Sequence, residues 1–229
     1  MLEKDAIQHH FDGHCAGESW YGRLFARIYD PLLAAAERDS LGWHRRHLLN
    51  QAEGRILEVG CGTGVNFGFY HPDRKVDAFD PSPAMLAQAA EKARLAPAQI
   101  QLEHCGIDEY QPAHTYDTIV ATLVLCTVPD LERSLARLQD WLRPGGRLLI
   151  LEHIRSHKKR TALWQGMLRP AWACVGQGCQ LNRATDQHLL QHAAFQQQEL
   201  VYFQNSLPFM RGVFLRRPEP KQEPRLPIL

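Results

Sequence analysis

Residues 57–64 read Leu57-Glu58-Val59-Gly60-Cys61-Gly62-Thr63-Gly64, an apolar run that passes directly into glycines at alternate positions. Glycine lets a chain turn sharply and brings backbone N–H groups against a ligand where a Cβ would clash. A strand that ends in such a loop belongs to an open α/β sheet, whose ligands lie outside the carboxyl ends of the strands. Asp80 ends a second apolar run, 16 residues after Gly64. A carboxylate there can accept hydrogen bonds from both hydroxyls of a ribose. The pattern predicts a nucleotide-type pocket. The dinucleotide fingerprint asks for Gly or Ala three residues after its second glycine, and Val65 stands there, so that match is poor.

The remaining chain alternates strand-like and helix-like segments, which points to a doubly wound sheet. Strands are expected at Arg55 to Val59, Val76 to Phe79 and Ile100 to Leu102. Two long apolar runs, Thr118 to Val128 and Arg147 to Leu151, suit central strands covered on both faces. Helices are expected from Pro83 to Arg94 behind Ser82 and along Leu131, Leu135, Leu138 and Leu142. At the N-terminal end, Asp30-Pro31 reads as a cap and first position that open a second helix after one over residues 20–29. Helices over Arg160 to Ala173 and Thr185 to Phe195 precede an antiparallel pair, Glu199 to Gln204 and Phe209 to Leu215. From these boundaries we expect N-terminal helices as a lid over 1–50, a core over 51–215 with an acceptor lid inserted at about 155–196, and a flexible Pro-rich tail at 216–229.

Composition removes whole function classes. With 26 Lys+Arg against 25 Asp+Glu, a net charge of +1 lacks the electrostatic footprint of a nucleic-acid binder. The 229 residues suffice for one domain with a full core. No signal peptide or membrane span is readable, so a cytoplasmic protein without integral membrane association is expected, its 6 cysteines as free thiols.

The order of an acid and then glycines, Glu58, Gly60, Gly62 and Gly64, resembles the first motif of the class I S-adenosylmethionine-dependent methyltransferases. Further pieces follow in that family's order: Asp80-Pro81, Gly106-Ile107-Asp108, Tyr116 to Val120, and Leu142-Arg143-Pro144-Gly145-Gly146. The resemblance implies a Rossmann-like, mixed seven-stranded sheet with helices on both faces and S-adenosyl-L-methionine as cofactor. It implies cofactor contacts from Glu58, Gly60, Cys61, Gly62, Gly64, Asp80, Pro81, Ile107, Asp108, Thr122 and Leu123. In the family the adenine turn carries its acid directly after the glycine; here Ile107 holds that position and Asp108 is the candidate.

On the acceptor side, Thr122-Leu123-Val124-Leu125-Cys126, Glu152-His153, Pro170-Ala171-Trp172, Gly178-Cys179 and Arg183 are similar to the alkyl-thiol methyltransferases of animals and their bacterial relatives. The broader group includes quinone C-methyltransferases and bacterial phosphatidylethanolamine N-methyltransferases. The similarity implies a small apolar acceptor, a thiol first and an amine or quinone carbon as alternatives, with His153 as the catalytic candidate. A cofactor-binding module without catalysis is the alternative of another class, and the intact loop with Asp80 speaks against it. Glu58 reads equally as a cofactor contact or as a buried carboxylate met by backbone donors. Cys126 reads as a small buried hydrophobe. Trp20, Tyr21, Phe25 and Tyr29 divide evenly between a lid and plain packing, and the basic run Arg155 to Arg160 reads as a solvated helix start. His9, His10, His14 and Cys15 lack a partner pair at zinc spacing, so no metal is expected.

Overall fold

In the computed structural model, which describes residues 20–218 except 177, Arg55–Val59 forms β1 near the middle of a seven-stranded sheet. Lys75–Asp80 (β2) and Gln99–His104 (β3) extend the sheet on one side. Tyr116–Thr122 (β4) and Leu142–His153 (β5) extend it on the other, all parallel. Phe195–Gln204 (β6) and Pro208–Arg216 (β7) form the expected hairpin, with β7 antiparallel to β5. The order β3-β2-β1-β4-β5-β7-β6 makes the chain reverse its direction of growth between β1 and β4. A crevice opens at such a switch point.

The apolar runs are continuous because the central strands are covered on both faces. Leu57, Ile119, Leu148 and Phe214 pack on one side with Leu135 and Leu138 of α4 (Leu131–Trp141). Ile56, Val120, Leu149 and Val213 pack on the other with Leu48 of α2 (Gly42–Leu49) and Leu86 of α3 (Pro83–Leu95). Ser82 caps α3 by accepting from Met85 N at 3.3 Å, and Asp130 caps α4 by accepting from Arg133 N at 3.0 Å. The expected insertion contains α5 (Lys159–Val175) and α6 (Thr185–Gln191).

Several boundaries differ from the expectation. Asp30-Pro31 does not open a helix: α1 runs unbroken from Trp20 to Ala36 with Pro31 inside it, and a π-helical turn over Glu37–Leu41 joins it to α2. The Asp30 carboxylate goes instead to Thr63 and Lys92, so a tertiary contact takes the side chain that would have capped. The run Thr118 to Val128 is strand only to Thr122, because Leu123 adopts a left-handed φ of 57°. Helix α6 stops at Gln191, as His192 turns extended and delivers Phe195 to the core. Arg216 belongs to β7 rather than to the tail, and its guanidinium donates to the Leu142 carbonyl. Residues 219–229 lie outside the described residues.

Leu138→Ala should lower the unfolding free energy by about 2–5 kcal/mol, since its side chain is fully buried between α4 and the sheet. Leu95→Ala, on a residue 86% exposed, should change it by less than about 0.5 kcal/mol. Denaturant melts that give equal shifts would contradict this placement of the core.

Candidate active site

All three loop glycines have left-handed backbone, with φ of 61° at Gly60, 56° at Gly62 and 75° at Gly64. A Cβ on Gly60 would lie 2.3 Å from Val124 Cγ2, and one on Gly64 2.6 Å from the Phe67 ring. At Gly62 nothing stands within 4 Å, so this glycine presents bare backbone to open space. The loop is pinned by Cys61 N donating to the Phe79 carbonyl at 3.0 Å and Gly64 N to the Cys61 carbonyl at 2.9 Å. Asp80, buried at the end of β2, accepts from Gly62 N through Oδ2 and from Ser82 N through Oδ1, both at 2.9 Å. Its carboxylate is thereby fixed beside the loop's open face. Each carboxylate oxygen accepts more than one hydrogen bond, so this placement suits ribose hydroxyls as well. The open cradle and the fixed acid together fit S-adenosylmethionine.

Thr122 ends β4, the parallel neighbour of β1, and Leu123 follows it, so both stand at the same end of the sheet as the glycines. Leu123 N donates to the Leu151 carbonyl at 2.8 Å, which holds its unfavourable φ. Backbone strain of this kind costs about 1–3 kcal/mol and collects at functional sites.

Behind the loop, Glu58 is 1% exposed and is met by side chains rather than by backbone donors. Tyr70 Oη donates at 2.6 Å and Asn66 Nδ2 at 3.0 Å. Asn66 also donates to Thr122 Oγ1 at 3.0 Å and accepts from Arg45 at 2.5 Å, while Arg45 pairs with Glu37 at 2.6 Å. Burial pushes the Glu58 carboxyl up to about 7, with Tyr70, Asn66 and Arg45 opposing the shift.

Helix α1 crosses the front of the loop. Asp30 accepts from Thr63 Oγ1 and from Lys92 Nζ, each at 2.6 Å. Of the aromatic residues weighed as a lid, Trp20 is 70% exposed. Tyr29 comes closest: burial, and then the negative charge of Cys126, Glu152 and Asp30, hold its hydroxyl far above the usual phenol range, against Arg45.

The acceptor side gathers at the carboxyl ends of β4 and β5. His153 Nε2 lies 2.9 Å from Cys179 Sγ, and Trp172 Nε1 donates to the same sulfur at 3.3 Å. Cys126, His153 and Cys179 bring one ligand-type atom each within 4.8 Å of one another. The hydrogen bond to Cys126, with help from His153 and Trp172, draws the Cys179 thiol well below its usual range despite burial. The same bond and burial push Cys126 up. Burial alone would depress His153, but its contact with Cys179 and the nearby Glu152 charge leave it raised. Arg183 Nη1 donates to the carbonyls of Leu125 and Val128, both at 2.6 Å, and Gln180 N to that of Cys126 at 3.0 Å. These bonds strap the loop after α5 onto the turn after β4.

The other expected positions have partners of their own. The Asp108 carboxylate pairs with Arg133 at 3.0 Å and Arg137 at 3.2 Å, so it is committed to α4. Ile107 packs on the core, and the Pro81 carbonyl accepts from His104 Nε2 at 3.1 Å. His9, His10, His14 and Cys15 lie outside the described residues, as does the side chain of Tyr21. A groove of about 490 Å³, lined by Arg155, Lys159, Leu163 and Met167 among others, runs along α5 away from the glycines. Sequence reasoning did not anticipate the meeting of Cys126 with Cys179. The signal was present in Glu152-His153 and Gly178-Cys179, but their convergence depends on the loop that Arg183 holds.

A family model for the methyltransferase domain matches residues 25–198. Human thiol S-methyltransferase TMT1A is 33% identical over 83% of this chain and 81% of its own length. The phosphatidylethanolamine N-methyltransferase of Cereibacter sphaeroides is 35% identical over 48% of this chain and 56% of its own. Among solved structures, the N-methyltransferase NodS from Bradyrhizobium japonicum in complex with S-adenosyl-L-homocysteine aligns with a TM-score of 0.58 and 20% identity, covering 79% of this chain and 87% of that one.

The raised Glu58 carboxyl has a consequence for stability. Between its ordinary value of 4.5 and about 7, the folded chain holds a proton that the unfolded chain releases. Its contribution is therefore full below the lower value and lost as pH rises through the upper one. Glu58→Gln removes this dependence. The stability of the variant relative to the parent should improve by about 1–3 kcal/mol between about pH 5 and pH 8, measured by urea unfolding. A difference independent of pH would remove the assignment.

Proposed function

The chain belongs to the methyltransferase-domain family as an S-adenosylmethionine-dependent methyltransferase, and we propose that it methylates the sulfur of a small, apolar thiol. The observation that carries this reading is the sulfur-rich cluster at the ends of β4 and β5, where Cys126, His153 and Cys179 come together and Trp172 donates to Cys179. The similarity to human TMT1A, which runs through α5 and its following loop, supports the same acceptor class.

S-adenosylmethionine, when bound, supplies a methyl group made electrophilic by its sulfonium. The protein's share is to bind and orient. Backbone of the glycine loop and the Asp80 carboxylate hold the nucleoside end, and Thr122 and Leu123 stand at the same end of the sheet. Tyr29 and α1 cover the crevice and restrict water. His153 is the candidate catalytic group, the polar side chain that an acceptor sulfur meets at the end of β5. A thiol needs little further help, because a few per cent is thiolate at neutral pH and fixed near-attack geometry supplies several kcal/mol.

A phospholipid amine is the second reading. It is favoured by the α5 groove, which sets Arg155 and Lys159 beside Leu163 and Met167, a charged end and an apolar end. The similarity to a phosphatidylethanolamine N-methyltransferase supports it too. Among the described residues no helix is long and apolar enough to cross a membrane.

Transfer of labelled methyl should be at least about tenfold faster to alkyl and aryl thiols than to phosphatidylethanolamine vesicles or a demethylquinone analogue. The opposite order would replace the thiol reading with the phospholipid one. Asp80→Ala should weaken cofactor binding by about 1–3 kcal/mol in calorimetry, the loss of charge-assisted bonds to two hydroxyls. Unchanged affinity would take Asp80 out of the site.

A further inference from the structure

We propose that Cys126, His153 and Cys179 form a zinc site with one open position, which the sulfur of the acceptor occupies. The geometry comes first. Three donors from separate elements, the turn after β4, the end of β5 and the loop after α5, lie within 4.8 Å of one another. In a tetrahedral site with bonds of about 2.3 Å to sulfur and 2.0–2.1 Å to nitrogen, neighbouring donors stand roughly 3.5–3.8 Å apart. Nε2 of His153 and Sγ of Cys179, now 2.9 Å apart, would need to separate by less than about 1 Å.

The chemistry of the donors selects the metal. Two thiols and an imidazole suit zinc and not the hard cations that seek oxygen. Three protein ligands are also the number found where a fourth position is left for water or substrate. The surroundings are built to hold such a set: Trp172 donates to Cys179, Gln180 N to the Cys126 carbonyl, and Arg183 fixes both sides of the Cys126 turn. Glu152, fully buried, accepts from Cys126 N at 3.3 Å through Oε2, while its Oε1 and Nδ1 of His153 are buried without a hydrogen-bond partner. These are the atoms that outer-shell contacts of a metal site use.

The use of the open position rests on the thiol reading given above. The acceptor S–H releases its proton to solvent and the sulfur keeps the electron pair. That pair forms the new bond to the methyl carbon as the carbon–sulfonium bond breaks and returns its electrons to the departing thioether. The metal changes no oxidation state.

The test uses the full chain, reduced and stripped with a chelator, then titrated with zinc against a chromophoric indicator and with cobalt(II). About one equivalent should bind, and cobalt should give the thiolate charge-transfer and intense visible bands of a tetrahedral site. C126S, C179S and H153A should each weaken zinc binding at least about tenfold, while C105S and C15S leave it unchanged. Should a variant not fold, alkylation of the parent chain read by mass spectrometry replaces it: zinc should slow the modification of Cys179, the most accessible thiol of the cluster, and an unchanged rate would overturn the site. Failure to bind zinc, an octahedral cobalt spectrum, or binding that survives in C126S and C179S but is lost in C15S would overturn the site. Zinc bound by the cluster with no turnover on thiols would sink the acceptor reading and keep the metal. Thiol turnover in a chain that binds no zinc would do the reverse.

Discussion

The structure turns on one carboxylate that has no access to water. Glu58 sits on β1, an interior strand, and burying an ionisable group costs several kcal/mol unless donors meet it. Tyr70 and Asn66 are those donors, and neither stops at Glu58. Asn66 reaches Thr122 at the end of β4 and is itself held by Arg45 of α2. Arg45 is fixed in turn by Glu37, in the π-helical turn that joins α1 to α2. Satisfying one buried acid thus fixes the depth of the glycine loop, the end of the neighbouring strand and the seat of the N-terminal helices.

On this support the functional groups take their places at one edge of the sheet. β1, β2, β4 and β5 are parallel, so Gly60, Asp80, Leu123 and His153 all emerge at carboxyl ends. The antiparallel β7 fills the far side of β5, and because Phe209 pairs with His153 the β6–β7 turn lies at this same edge, where Asn205 Nδ2 donates to the Ala36 carbonyl and to Ser40 Oγ. Chemistry is divided by position. Backbone and Asp80 lie to the β1–β2 side of the crevice, and sulfur and imidazole lie to the β4–β5 side, with the strained Leu123 between them.

What was legible in the sequence was local or periodic. Glycines in left-handed backbone betray themselves because few other residues tolerate it, and Ser82 and Asp130 cap the helices they precede. The misreadings share a cause, a tertiary contact overriding a local signal. Asp30 looked like a cap and serves as a tether; the apolar run after Thr122 looked like strand and is a turn held by the Leu151 carbonyl. Asp108, placed by its position in a motif, pairs through its carboxylate with two arginines of α4 that no motif announces. Cys126 and Cys179 are separated by a strand and two whole helices, α4, β5 and α5, and no spacing rule connects them. Their meeting is fixed by Arg183, whose partners are carbonyls and leave no mark in the sequence.

The bond from Asp30 to Thr63 has a consequence for ligand control. Since α1 is fastened to the glycine loop, the two are thermodynamically linked, and whatever effect a ligand on the loop has on the helix the helix returns in equal measure on the ligand. A cofactor at about one hundred times its dissociation constant contributes about 2.7 kcal/mol to the state it binds. Whatever part of that energy belongs to the closed helix represses its fraying, so the covering helix is most secure when the cofactor is present.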